Sequence, residues 1–410
     1  MNDLILTKRT NRPDPYFIDE YINTGGYNSL KKALLTDKEK MIAEIKASGL
    51  SGRGGANFPT GKKIESVFEQ DGEKYLVCNA DEGEPGNFKD RFLIEHDPHL
   101  LIEGMIILAY LIDCKKAYIY IREEYDKAEK ILITALKEAR EHNLLGDNIN
   151  HTNFCFDIKI FSGAGSYLCG EEYALIASIE GSKGKTREKP PFPTTSGLFG
   201  KPTLLLNVET ISNISFIIEE GADKYSAIGT PSSKGTRLIS LSGNVKNKGV
   251  FEVPLGTSLR TIIEDLGQTK DNIKIIQLGG PSGPIIPYNM IDIKLDYEEL
   301  KKEDLALGSG AIIVINNDYD LFEILKNNIR FFKYESCGKC TPCREGLTEV
   351  ANILDRFINK SATKSDLENL ELLVNVIKDT SYCGLGVYSV TSIITSLKYF
   401  HEEFVSRVID

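Results

Sequence analysis

The chain lacks any apolar run long enough to cross a bilayer. A stretch such as MIILAYLI at 105–112 falls far short of the roughly 20 apolar residues that a spanning helix needs. It also lacks a surplus of positive charge: 49 Lys and Arg stand against 59 Asp and Glu, for a net charge of −10. That balance argues against a surface built to neutralise nucleic-acid phosphates. The opening stretch, MNDLILTKRTNRPDPYF, has no long apolar core of the kind a signal peptide carries, so the expected setting is the cytoplasm. Two familiar phosphate loops are missing as well. In GRGGANFPTGKK (52–63), Ala56 stands where a Walker A loop needs Gly, and the run is not GxGxxG.

What is present suits several globular domains. The chain has 410 residues, 41% of them hydrophobic and 26% charged, which suggests two to four domains. Residues 1–45 read as a polar helical segment with a turn at NTGGYN. Across 46–230, KYLVCNA (74–80), AYIYI (117–121) and FDIKIF (156–161) read as buried strands. Helical patterns at 97–113, 124–142 and 170–180 alternate with them. Such alternation predicts a mostly parallel sheet with helices on its faces. GTPSSKG (229–235) reads as a linker. Residues 235–318 then read as a small strand-rich unit with one helix, the pattern of a β-grasp, ubiquitin-like domain. Residues 320–410 read as a bundle of about four helices, with Leu367, Leu370, Val374 and Ile377 on one face.

There are eight cysteines, and a reducing compartment makes disulfides an unlikely use for them. Cys114 and Cys155 read as small buried hydrophobes. Cys337, Cys340 and Cys343, in ESCGKCTPCREG, follow a strict spacing of three, and Cys383 in SYCGLG lies 40 residues beyond Cys343. Three clustered cysteines plus one remote cysteine is the ligand pattern of a 4Fe–4S cubane. Zinc is the alternative, although it usually takes two Cys-x-x-Cys pairs.

Three further loops each suit close backbone approach to a phosphate or a flat ring. GRGGANFPTGKK combines four glycines with Lys62 and Lys63. CNADEGEPGNFKDR (78–91) sets Asn79, Asp81, Glu82 and Glu84 beyond a strand's carboxyl end, where open α/β sheets bind ligands. GAGSYLCGEE (163–172) follows a strand and opens a helix. SKGKTREKPPFP (182–193) adds a basic lip presenting Phe192. Taken singly, each is open to a plainer reading as a flexible, solvated acidic or exposed charged loop. Three, each beside a strand or helix start, support one another.

In order, GRGGANFPTGKK, NADEGEPGNFKDR, GAGSYLCGEE, KPPFP, LNVET, ESCGKCTPCREG and CGLG resemble the NADH-binding flavoprotein subunit of respiratory complex I. They also resemble the related diaphorase subunits of NAD-linked hydrogenases and formate dehydrogenases. The resemblance spans essentially the whole chain. It implies an α/β Rossmann-like FMN and NADH domain, a β-grasp SLBB domain, and a helical bundle holding an iron–sulfur cluster. It implies FMN, NAD(H) and one 4Fe–4S cluster as cofactors. Carried over by position, the cofactor site comprises Gly52, Arg53, Gly54, Gly55, Lys63, Asn79, Asp81, Glu82, Gly170, Glu171, Glu172, Asn207, Thr210 and Leu385. The NADH site comprises Ala56, Phe58, Glu84, Glu172, Lys189 and Phe192, and the cluster ligands are Cys337, Cys340, Cys343 and Cys383.

The implied reaction is NADH:acceptor oxidoreduction. Hydride passes from the nicotinamide directly to the flavin, with no side chain acting as acid or base, and single electrons go on to the cluster. Glu172 would accept from the adenosine ribose hydroxyls and repel a 2′-phosphate. The implied partners are a thioredoxin-like 2Fe–2S subunit and a larger iron–sulfur subunit, with the chain peripheral to the inner membrane through its complex. No extra ferredoxin-like segment or thioredoxin-like domain is expected, which favours a complex I-type subunit. GGPSGPIIP (279–287) resembles the soluble hydrogenase-type relatives as much. Such an assembly, electron-bifurcating or not, is the alternative, and a zinc-binding scaffold is the reading from another class. Four residues depart from the family pattern: Asn57 for Gly, Ile64 for Trp, Tyr173 for Thr and Leu206 for Asn.

Overall fold

The computed structural model describes residues 4–409 apart from Pro13, Pro15 and Asp271. It divides into two compact units. The first comprises Met1–Gly83, Phe88–Leu238 and Glu252–Gly256; the second comprises Glu84–Asn87, Ile239–Phe251 and Thr257–Asp410.

The first unit is α/β. Four strands, β1 (Tyr75–Ala80), β2 (Lys116–Arg122), β3 (Asp157–Gly163) and β4 (Thr203–Asn207), form an all-parallel sheet in the order β3-β2-β1-β4. Leu76, Val77 and Cys78 of β1 are fully buried, as expected for a parallel strand covered on both faces. The helix Pro98–Ile112 holds MIILAYLI, and it is core rather than a membrane segment. Asp97 caps it, accepting from Leu100 N, and Pro98 takes the first helical position, where a missing N–H is harmless. Among the described residues no helix is long and apolar enough to cross a membrane.

The strand order reverses between β1 and β4. Asn79 and Asn207 are register partners at the carboxyl ends of these two strands. A crevice at such a reversal is where doubly wound sheets take their ligands. Three of the loops singled out in the sequence converge there.

The N-terminal helices are pinned to this unit by buried polar groups. Glu103 accepts from Ser29 Oγ at 2.5 Å and Leu30 N at 3.0 Å, and also from the Tyr21 hydroxyl. Glu252 accepts from the backbone of Ile5, Leu6 and Thr7. GTPSSKG folds as an ordered turn, with Thr230 N donating to Ser233 O at 2.8 Å, rather than as a loose linker.

In a second sheet, β5 (Thr236–Gly243), β6 (Gly249–Pro254), β7 (Ile273–Leu278), β8 (Ile285–Pro287) and β9 (Ala311–Asn316) order as β6-β5-β9-β7-β8. β5 runs parallel to β9, and β7 is antiparallel to both its neighbours. Against the one helix expected here, the chain forms a widened turn, Thr261–Leu266, marked by an i→i+5 bond from Gly267 N to Ile262 O, and also a helix, Tyr297–Lys302, which Asp296 caps by accepting from Glu298 N and Glu299 N. Helices fill the C-terminal part: Leu321–Glu335, Gly346–Ile358, Lys364–Thr380 and Thr391–Tyr399, with the short helices Thr341–Arg344 and Gly384–Tyr388 between them and His401–Val405 after the last. Phe322, Phe357 and Phe404 form its aromatic centre, with ring centroids 4.9–5.4 Å apart. Ile285 N donates to Thr395 Oγ1 at 2.9 Å and Lys274 pairs with Glu403 at 2.8 Å, so sheet and helices pack as one unit.

Candidate functional site

The GRGG segment forms a pinched loop. Gly52 N donates to Phe58 O at 2.8 Å and Thr60 N to Leu50 O at 2.9 Å, leaving residues 53–57 as its tip. Arg53 N donates to Thr210 Oγ1 at 2.8 Å, which docks the tip onto the short helix after β4. A Cβ at Gly54 would sit 3.2 Å from Cβ of Asn207, so side chains are excluded at the closest approach. Gly55 has φ +127 and Asn57 φ +52. Asn is the residue other than Gly that most readily adopts this left-handed conformation. The departure from the family's glycine at 57 is therefore conformationally conservative. Asn57 Oδ1 is buried and has no hydrogen-bond partner among the described residues.

Asn79 ties two loops together. Its Nδ2 donates to Gly170 O at 3.0 Å and its Oδ1 accepts from Asp81 N at 3.0 Å. Asn207 Oδ1 caps the short helix Val208–Ser212 through Glu209 N, while Nδ2 donates to Asp90 Oδ2 at 2.6 Å. Glu171 caps the helix Glu172–Ile179 through Tyr173 N and Ala174 N. These capping duties fix the side chains and leave little freedom for rearrangement.

Glu172 is bridged by two lysines. Lys63 Nζ lies 2.5 Å from its Oε1 and Lys189 Nζ 2.9 Å from its Oε2; Lys189 also reaches Glu171 at 3.2 Å. Burial pushes the Glu172 carboxyl up, but the Lys63 and Lys189 charges outweigh it and hold it down at about 2. Tyr173 secures the lip that carries Lys189. Its hydroxyl donates to Pro191 O, and to Ser196 O at 3.3 Å. Arg187 and Lys189 lie over its ring at 5.6 and 5.7 Å. The family's Thr could not span that gap. Phe58 and Phe192 are both 54% exposed, large rings in the water. Ile64 and Leu206, two further departures, are buried and replace polar or larger groups with core.

Other expected residues are turned to structural work. The Arg53 guanidinium is fully buried, donating to Ser51 Oγ, the Tyr225 hydroxyl and Lys234 O. Glu82 accepts from Asp90 N at 2.9 Å and Arg91 N at 3.0 Å, at the start of the helix Lys89–His96. Burial, then the Asp90 charge, pushes its carboxyl up to about 7. Glu84 belongs to the second unit, where its Oε1 accepts from Ser282 N at 2.8 Å. Glu84 packs closely against Gly280, whose Cβ would lie 2.6 Å from Glu84 Cγ, which accounts for the second glycine of GGPSGPIIP. Leu385 is buried in the second unit, two residues after Cys383.

Sequence reasoning missed the ionic group beneath the loops. Lys89 is fully buried and places Nζ 2.7 Å from Asp90 Oδ1 and 2.9 Å from Glu209 Oε2. Glu209 Oε1 accepts from Leu238 N at 2.9 Å, and Arg237 stands 4.0 Å from its Oε2. Burial pushes Glu209 up, but Lys89, Arg237 and Arg53 bring it below the usual range. The signal was available, since these residues lie inside NADEGEPGNFKDR and LNVET.

The cysteine site lies in the second unit. All eight cysteines are thiols; Cys114 is buried as expected, whereas Cys155 is partly exposed. Two contacts bring the turn around Cys383 to the triple run. Lys339 Nζ lies 3.6 Å above the Tyr382 ring. A Cβ on Gly386 would lie 3.3 Å from Cβ of Cys343. The charges of Cys340, Cys383 and Cys337 all act on Cys343, whose thiol burial first of all pushes up to about 11. Among the described residues no three His, Cys, Asp or Glu side chains converge as ligands of a single ion would. A cubane needs a wider spread, because each thiolate takes its own iron. Four thiols from two polar breaks in a bundle fit that group.

Residues 45–215 match the Nuo51 FMN-binding domain, and residues 323–407 match the NADH-ubiquinone oxidoreductase-F iron–sulfur binding region. The chain is 44% identical to the F subunit of NADH-quinone oxidoreductase from Aquifex aeolicus, over 98% of its length and 93% of the relative's. It belongs to the family of NADH-quinone oxidoreductase F subunits. It is also 43% identical to NADP-reducing hydrogenase subunit HndC of Solidesulfovibrio fructosivorans, over 99% of this chain and 84% of that one. A crystal structure of an NAD+-reducing [NiFe]-hydrogenase superposes with a TM-score of 0.86 at 33% identity, covering 99% of this chain and 66% of that chain. The chain thus carries the family's FMN-binding and 4Fe–4S regions. The sheet reversal, the glycine cradle at Gly54 and Gly55, the buried Asn57 oxygen and the four thiols all suit those groups.

Proposed function

We propose that this chain is an NADH dehydrogenase (diaphorase) subunit that takes hydride from NADH and delivers single electrons to a partner iron–sulfur protein. The observation that carries the reading is the convergence of the pinched GRGG loop, Asn79 and Asn207 on the reversal between β1 and β4. Bound FMN supplies the exchange between hydride and single-electron chemistry. Gly52, Gly54 and Gly55 admit it to the backbone, and Asn79, Asp81, Gly170, Asn207 and Thr210 line its place. Arg53, Glu82 and Glu171 act behind them, fixing the loops. Phe58 and Phe192 offer faces for the nucleotide, with Ala56 beside the first, and Glu84 is read as a further NADH residue. Lys63 and Lys189 hold Glu172 as an anion toward the ribose hydroxyls, favouring NADH over its 2′-phosphorylated counterpart. Cys337, Cys340, Cys343 and Cys383 ligate the cluster.

We further read 235–318 as a β-grasp SLBB module, 320–410 as the cluster module, 46–230 as the Rossmann-like domain and 1–45 as its helical lead. The partners are a thioredoxin-like 2Fe–2S subunit and a larger iron–sulfur subunit, with the assembly peripheral to the inner membrane. A soluble hydrogenase-type assembly is the second reading, since the chain is 43% identical to a hydrogenase subunit and GGPSGPIIP suits both kinds of relative. The two differ in partner, not in chemistry. Flavin, iron and acid-labile sulfide assays, with NADH-driven reduction of an artificial acceptor, test the proposal. Absence of flavin, or of acceptor reduction by the flavin-loaded chain, would refute it.

A further inference from the structure

Ser336 closes the helix Leu321–Glu335 and precedes the first cysteine of the triple run. Its Oγ lies 3.2 Å from Cys343 Sγ. The same oxygen accepts from Gly338 N at 3.3 Å. That acceptance uses an oxygen lone pair and leaves the O–H for the sulfur. Once Cys343 is a metal-bound thiolate it has no proton to give, so the serine must be the donor. Cys343 is the innermost ligand of the four, only 5% exposed. Gly386 covers it from the other side, where a Cβ would lie 3.3 Å from Cβ of Cys343. Water has little access to this sulfur, so the serine hydroxyl is not replacing an equivalent solvent bond.

We infer that Ser336 is a positioning residue for the cluster: its hydroxyl donates to Cys343 Sγ and raises the cluster's reduction potential. The inference rests on the cluster assignment above. One-electron reduction adds negative charge to the cluster and its thiolates, and no proton moves. A fixed donor aimed at one of those sulfurs stabilises the more negative state. Removing it therefore makes the cluster harder to reduce. The same hydroxyl fixes the turn at Gly338, whose φ is +72, and so the spacing of Cys337 from Cys343. Ser336 itself has φ −63 and ψ 127, which alanine adopts without strain.

The test is an anaerobic redox titration of the purified full chain, followed by the electron paramagnetic resonance signal of the reduced cluster. Iron and sulfide are assayed on every sample. S336A is expected to move the midpoint to more negative potential, so the reduced fraction at a fixed poise near the wild-type midpoint falls several-fold. S336T keeps the hydroxyl and is expected to restore the wild-type midpoint. A loaded S336A cluster with an unchanged midpoint, or an S336T midpoint as low as that of S336A, overturns the inference and leaves the cluster assignment intact. A wild-type chain without iron and sulfide overturns both. Should S336A fail to load, resonance Raman of the wild type after brief exchange into D2O decides. A shifted iron–thiolate stretch supports the serine donor, and an unmoved one overturns it.

Discussion

Replacing Lys89 by Met is the most demanding test of the architecture under the loops. The ammonium is fully buried between two carboxylates, 2.7 Å from Asp90 and 2.9 Å from Glu209. Neither carboxylate can turn to water. Asp90 Oδ2 is held by Asn207 Nδ2 at 2.6 Å, and Glu209 Oε1 by Leu238 N at 2.9 Å. Met keeps the volume and removes the charge, so two anions are left facing each other with the more distant Arg237, at 4.0 Å from Glu209, and Arg53 as the remaining compensation. Deleting one partner of such a buried group destabilises by about 3–5 kcal/mol. For a unit of this size about 2–4 °C accompanies each kcal/mol, so the unfolding midpoint should fall by roughly 6–20 °C. Differential scanning fluorimetry at constant cofactor loading reads this directly. The double variant K89M/E209Q should recover part of the loss, because one stranded anion goes with the cation. A fall of less than about 3 °C in K89M would refute the reasoning, since it would mean that the network carries little differential charge energy.

Other outcomes follow from the same geometry. Cys383→Ser should abolish iron and sulfide content while flavin stays bound, and iron surviving the change would displace Cys383 from the ligand set. Asn57→Gly should be close to neutral for flavin content. Asn57→Val should destabilise the loop by about 1–3 kcal/mol, because a β-branched residue resists positive φ; equal flavin content in both variants would contradict this. His99 is fully buried, with Nδ1 against the Tyr27 hydroxyl at 2.8 Å and Nε2 against Glu138 at 3.2 Å, and the Tyr21 ring beside it. Burial, helped by His142, pulls its pKa down to about 3. The native state then binds fewer protons than the unfolded chain between about pH 3 and the ordinary value near 6.5. Stability should fall as pH drops through that window, and His99→Gln should flatten the acid limb of a denaturation series.

Three of the first sheet's four strands were legible because periodicity and glycine punctuation are local, whereas β4 (Thr203–Asn207) was not expected as a strand. KYLVCNA, AYIYI and FDIKIF all became strands within two residues of their expected ends. The cysteine spacing was legible for the same reason. What the sequence hid was direction. Arg53 looked like a ligand group in a glycine loop, yet its charge is buried against Tyr225 and Lys234 O. Glu82 looked like one carboxylate among several, yet it holds the start of a helix. Lys89 and Glu209 are 120 positions apart, and only the parallel pairing of β1 with β4 makes them neighbours. The last helices hid their break, since the backbone turns at Phe400 between Thr391–Tyr399 and His401–Val405. Tyr173 is the clearest case of a departure explained only by structure, because its hydroxyl meets a lip 18 residues downstream.

The most direct measurement of the central claim is an anaerobic visible spectrum of the purified chain, before and after one equivalent of NADH, repeated with NADPH. The account predicts a flavin band that NADH bleaches and NADPH leaves largely intact, because Glu172 stays ionised between Lys63 and Lys189. A flavin band untouched by NADH, or the lack of such a band, would contradict it.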